Sequence, residues 1–219
     1  MTLNIRHHVD PATLVSFSAG TLNGALAAVV AAHVSTCPHC AREVAAMDMV
    51  GATLLGGMPV PMQCAGDDIP AMPAPSSTIS IAAPAHAAAS SAIIPEPIRR
   101  RFGITGQNIR WQRLAPGVWH HRLNQDGAGA GDLRLLRIAP GYRMLEHGHG
   151  GTELTLVLEG AFSDSTGEYL PGDIQEVADE TEHCPVADRV SGCICLIASE
   201  ERARFRGVVG RIVQTWTGL

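Results

Sequence analysis

The sequence predicts a two-domain protein of mixed class, a small helical bundle joined by a Pro/Ala-rich linker to an all-β domain of barrel or double-sheet type. Three observations carry this. An early stretch repeats apolar residues at helical spacing. A central stretch from Ile69 to Pro95 holds no Asp, Glu, Lys or Arg and is broken repeatedly by proline. The remainder is a series of short runs rich in Leu, Ile, Val and Thr, separated by Gly, Pro and Asp turns. The boundaries that follow are 1–65 for the helices, 66–97 for the linker and 98–219 for the β domain. With 219 residues in all, each part has enough chain to bury a core.

The elements follow in order. In "DPATLVSFSAG", Asp10 is a candidate N-cap, Pro11 takes the first helical position and Gly20 is a stop. Leu22, Leu26, Val29, Val30 and His33 then share one helical face, and a third helix opens at Pro38 with Met47, Val50 and Leu54 continuing the apolar pattern. Three short helices make a thin core, and such small domains often depend on a metal or a partner. Beyond the linker, "DLRLLRIAPGY", "TELTLVLEG" and "GCICLIASE" read as strands, and no long amphipathic helix accompanies them.

The net charge of -5 argues against a general nucleic-acid binder. All sixteen residues of the Lys/Arg class are arginine, and the densest run, Arg99 to Arg101, reads as a solvated face. The first ten residues contain no apolar run ahead of a small-residue cleavage site, and "ALAAVVAA" is far shorter than the roughly 20 residues of a membrane span. The chain therefore reads as soluble and cytoplasmic, without membrane partners. In a reducing compartment, paired cysteines point to metal or redox chemistry rather than structural disulfides.

The stretch "HVSTCPHC" places His33 four residues before Cys37, and Cys40 three beyond it. A helical turn brings the first two onto one face, and Cys40 can close on the same point. Thiolates and imidazoles are the donors of tetrahedral zinc, which takes four. The fourth is not local; "RHHV" offers His7 and His8. A thioredoxin-type redox pair with a packed His33 is the competing reading, although that motif belongs in a βαβ setting the sequence lacks.

A second group lies in "GYRMLEHGHGGTELTLVLEG", where His147 and His149 are two apart and so point the same way on a strand. Glu153 follows a Gly-Gly turn, and His183 is the natural fourth donor. Three imidazoles and a carboxylate suit Zn, Fe, Mn or Ni.

The spacing from Gly141 through His147, His149 and Glu153 to Gly160 resembles the first cupin motif throughout. The second motif is looser. Gly172 and His183 fit it, while Ala178, Glu180 and Ala187 stand where Pro, Gly and Asn are common. The resemblance implies a double-stranded β-helix (jelly-roll) and carries the metal ligands to His147, His149, Glu153 and His183.

Over nearly its full length the chain also resembles the ChrR-type zinc-binding anti-sigma factors. That family joins a helical zinc domain to a cupin. The resemblance implies that His8, with His33, Cys37 and Cys40, holds zinc. It further implies that the helical domain restrains a sigma factor of the extracytoplasmic-function class, released under oxidative stress of the singlet-oxygen type through the cupin. The fourth helix of that family corresponds here to the Pro/Ala segment interrupted by Pro84. The alternative is a cupin metalloenzyme, dioxygenase-like, with an accessory zinc-binding domain.

Cys193 and Cys195, two apart on a strand, share a face and read best as core thiols, and Cys184 adjoins His183. His120 and His121 point to opposite faces of one strand, so only one of them can face inward.

Overall fold

The computed structural model describes residues 3–57, 94–123, 131–144, 151–178 and 183–200, with the backbone of 147–148 and 204–205. The expected linker falls almost entirely outside the described residues.

Helix α1 (Pro11–Ser18) is capped by the Asp10 carboxylate, which accepts from the Ala12 N–H at 2.8 Å, and Gly20 turns the chain at φ +70°. Asn23 caps α2 (Gly24–Val34) in the same way, accepting from Ala25 and Leu26. Helix α3 (Pro38–Gly56) starts at Cys37 with Pro38 in its first position. A short α4 (Glu96–Phe102) follows and ends at Gly103 in the left-handed conformation.

The strands are β1 (Gln112–Ala115), β2 (Val118–Arg122), β3 (Asp132–Ile138), β4 (His147–Gly148), β5 (Glu153–Gly160), β6 (Phe162–Asp164), β7 (Gly167–Tyr169), β8 (Ile174–Val177), β9 (Val186–Ala187), β10 (Cys193–Ser199) and β11 (Arg204–Phe205). Six of them form one sheet in the order β1-β2-β3-β10-β5-β8. The order β7-β6-β9 makes a three-stranded sheet, and β4 pairs with β11. All the strand pairings are antiparallel, as a jelly-roll requires.

The central strands β3, β10 and β5 of the large sheet are buried on both faces. Leu136, Ile138, Val157, Cys193 and Cys195 face inward and pack with Phe162, Tyr169 and Ala187. Leu133, Leu135, Leu154, Leu156, Leu196 and Ala198 face the other way and share a core with Leu14, Leu26, Val29, Val30, Ile94 and Ile98 of the helical segments. Helix α2 packs directly on β3, β5 and β10. The thin, separate helical core expected from the sequence is thus replaced by one shared with the sheet. This double burial explains why these strands read as nearly continuous apolar runs rather than strict alternations.

The expected apolar face of α3 splits. Met47 packs against the shared core, whereas Val50 and Leu54 are 60% and 68% exposed. At 19 residues, α3 is longer than α1 and α2, with 8 and 11, and its last turns run beyond them. Among the described residues no single helix is long and apolar enough to cross a membrane.

Leu26 is 1% exposed in the middle of the shared core. Leu26→Ala is expected to cost about 2–5 kcal/mol. Helical circular dichroism and tryptophan fluorescence should melt together, at one lowered temperature; two separated transitions would show that helices and sheet do not share a cooperative core.

Candidate metal centres

The first centre is assembled from three elements. His33 lies in the last turn of α2, Cys37 caps α3 and Cys40 lies in its first turn. His8 comes from the extended segment that precedes α1. One donor atom from each falls within 4.8 Å of all the others. His33 Nε2 is 3.3 Å from Cys40 Sγ, and His8 Nδ1 is 3.3 Å from Cys37 Sγ and 3.7 Å from Cys40 Sγ. Zinc–nitrogen and zinc–sulfur bonds of about 2.0 and 2.3 Å at tetrahedral angles separate N and S by roughly 3.6 Å. The observed spacings match the edges of such a tetrahedron, so this group can hold a metal.

The electrostatics point the same way. His33, Cys37 and Cys40 are buried and His8 is exposed. Burial lowers the His33 imidazole to about 4 and raises the Cys40 thiol to about 11, the latter assisted by the neighbouring Cys37. Without a metal both groups are therefore neutral at pH 7. A divalent ion would compensate two buried thiolates that the protein alone does not. Partial burial, then the charge of His39, whose ring lies 4.4 Å away at a tilt, lowers His8 as well. His7 turns away, its Nε2 lying 3.1 Å from the Glu168 carbonyl and its ring 4.4 Å from Tyr169.

Of the second group, Glu153 opens β5 and is 4% exposed, and His183 is 3% exposed. Glu153 alternates with Leu154 and so faces the interior with Thr155 and Val157. His147 begins β4, while its side chain and the whole of His149 lie outside the described residues. The structure therefore locates two of the four expected ligands, both in buried positions.

Sequence reading missed Asp164. Its buried carboxylate lies 3.1 Å from His183 Nδ1 and accepts from Gln175 Nε2 at 2.8 Å and Thr166 Oγ1 at 2.6 Å. Burial alone would raise this carboxyl, but the hydrogen bonds from Thr166, Gln175 and His183 hold it below its ordinary value. An ionised Asp164 keeps the His183 proton on Nδ1 and presents Nε2 as the donor atom, the usual outer support of a ligating histidine. No local pattern announces Asp164, because its role depends on a residue 19 positions away.

A cleft of about 370 Å³, lined by Arg143, Ser163, Asp164, Ser165, His183 and Cys184, opens onto this edge of the barrel. Cys184 Sγ donates to the Met144 carbonyl at 3.0 Å. Cys193 and Cys195 are buried in the inner core, where a hydrogen bond with Cys193, and then burial, push the Cys195 thiol well up. His120 is the inward member of its pair, lowered by burial and by the buried Arg134 beside it. His121 instead bonds the Arg110 carbonyl at the surface.

The family model for the ChrR cupin-like domain matches residues 99–202. The anti-sigma-E factor ChrR of Cereibacter sphaeroides is 38% identical over 212 residues, which span 97% of this chain and 98% of that one. The crystal structure of Rhodobacter sphaeroides SigE in complex with the anti-sigma ChrR superposes with a TM-score of 0.71 at 35% identity, over 90% of this chain and 99% of the other. With that identity sustained from the helices through the sheet, the chain belongs to the ChrR family.

Proposed function

We propose that this protein is a zinc-dependent anti-sigma factor. Its helical part binds a sigma factor of the extracytoplasmic-function class and keeps it from RNA polymerase. Its cupin part holds a second metal through His147, His149, Glu153 and His183 and governs release under oxidative stress. The tetrahedral spacing of His8, His33, Cys37 and Cys40 is the observation that carries the reading, because a metal there would tie the N-terminal segment, α2 and α3 into one platform. Zinc supplies four-coordinate cross-linking without redox chemistry of its own.

The platform has a face to offer. Met49, Val50, Leu54 and Leu55 of α3 are 60–72% exposed, and Val15 of α1 is 53% exposed. Such an apolar helix face suits helix-in-groove recognition. Likeness in sequence and fold to the ChrR chain that was crystallised with SigE supports a sigma factor as its occupant. The cleft beside His183 and Cys184 supports the cupin as the receiver of a small oxidant or ligand.

Co-expression with a cognate sigma factor should yield a stable complex that disappears when zinc is chelated; an unbound, fully active sigma factor would contradict the proposal. Leu54→Asp, on an exposed turn, should leave stability within about 0.5 kcal/mol. It should weaken sigma binding by roughly 2 kcal/mol, about thirtyfold, in a titration.

Metal affinity at the first centre should fall with acidity. The Cys40 thiol, near 11 without metal, must lose its proton on binding. Lowering pH from 8 to 7 therefore weakens binding by about tenfold for this proton alone. His33, near 4, adds nothing over that range. A pH-independent affinity in competition titrations would show that the Cys40 thiolate is not a ligand.

Asp164→Ala should lower metal affinity at the cupin by about 10–100-fold while sparing the first centre. Elemental analysis after graded chelation separates the two outcomes.

A further inference from the structure

The first metal centre is not built by the helices alone. His33 donates its Nδ1 proton to the carbonyl of Gly172, 139 residues away, at 3.0 Å. That bond leaves Nε2 turned toward Cys40 Sγ. Asp173, whose side chain is fully buried, accepts through Oδ1 from the N–H groups of Arg6 at 2.6 Å and His7 at 3.0 Å. Its Oδ2 accepts from the Leu170 N–H at 2.9 Å. The Ile174 N–H completes the clamp on the carbonyl of His7 at 3.4 Å. The backbone delivering His8 is thereby fixed from the turn between β7 and β8. Gly172 sits at φ +93°, and a Cβ there would come within 2.8 Å of Ile5, so the close approach of this turn to the N-terminal segment requires glycine.

We propose that the Gly172–Asp173 turn of the cupin is the outer shell of the helical metal centre, positioning its two imidazoles, while its two thiolates come from the start of α3. Metal retention by the helical part then depends on how the cupin turn is seated. Strand β8 runs from this turn to Val177, which pairs with Glu153 on β5. A rearrangement around Glu153 thus has one strand's length to travel before it reaches both histidines. If the turn withdraws, His33 loses its orienting acceptor and His8 its anchored backbone, and the metal is left on Cys37 and Cys40. The inference rests on metal occupancy at His8, His33, Cys37 and Cys40 and is independent of which partner the helices bind.

Cobalt(II) tests this in the full-length chain, because thiolate-to-cobalt charge transfer reports only the cysteine-bearing centre. Asp173→Ala is expected to speed loss of this band to a chelator by roughly 10–100-fold. Asp173→Asn, retaining one acceptor oxygen for Arg6 and His7, should fall between Asp173→Ala and the parent. Glu176→Ala is the control. It loosens the same segment at Asp10 and Thr13, to which Glu176 bonds at 3.1 and 2.6 Å, without touching a ligand. It should stay within about twofold of the parent, against the larger loss for an outer-shell residue.

Equal rates for Asp173→Ala and the parent, or equal acceleration by Asp173→Ala and Glu176→Ala, would overturn the proposal. Should Asp173→Ala fail to fold, the parent alone decides. By reciprocity, metal binding must slow hydrogen exchange at the Arg6, His7 and Leu170 amides, and unchanged exchange overturns the coupling. Absence of the thiolate band in the parent would remove the metal centre, and with it both this inference and the zinc dependence proposed for sigma binding, whereas a normal band with equal rates would overturn this inference alone.

Discussion

Helix α2 carries 11 residues with no charged carboxylate, lysine or arginine among them, and a helix apolar on nearly every side is stable only when enclosed. The six-stranded sheet encloses it on one side, and α1, α3 and α4 on the others. Ala25, Ala28 and Ala32 keep it slender enough for close approach, while Leu26, Val29 and Val30 fill the space between. This placement forces the end of α2, and His33 with it, against the β7–β8 turn. The candidate metal centre thus lies where the helices meet the barrel rather than at an outer tip.

Enclosure also sets the chemistry. The buried His33 imidazole and Cys40 thiol are held neutral by desolvation, so without an ion the centre consists of four weakly joined donors. Binding of a divalent metal turns that liability into a cross-link among three elements, and loss of the metal, by oxidation of the thiolates or by displacement of the histidines, undoes it. Because His8 stays exposed, the centre is open to solvent on that side. The candidate cupin site is organised differently: Asp164 lies inside the barrel and anchors His183 through a carboxylate that burial opposes and three hydrogen-bonding partners sustain.

Much of this was legible in the sequence because it is local. Asp10, Pro11 and Gly20 announce α1 by capping chemistry, His33, Cys37 and Cys40 announce a metal by their spacing, and the glycines and histidines from Gly141 to Gly160 announce the jelly-roll. What stayed hidden depends on distant contact. Gly172 reads as a motif glycine of the second cupin hairpin, and nothing near it says that its carbonyl serves a histidine 139 residues earlier. Val50 and Leu54 have the spacing of core residues, but periodicity does not reveal where neighbouring helices end. Asn23 was open to reading, being a strong N-cap type directly before an apolar run. The shared core left only a faint trace, in strands apolar on both faces.

On the reading proposed above, His8, His33, Cys37 and Cys40 together hold one zinc ion. X-ray absorption at the zinc edge, on the chain carrying His147→Ala and His149→Ala so that one centre dominates, tests it most directly. The expected result is a four-coordinate ion with two sulfurs at about 2.3 Å and two nitrogens at about 2.0 Å. A shell of nitrogen and oxygen alone, or zinc bound by sulfur without imidazole, would contradict it.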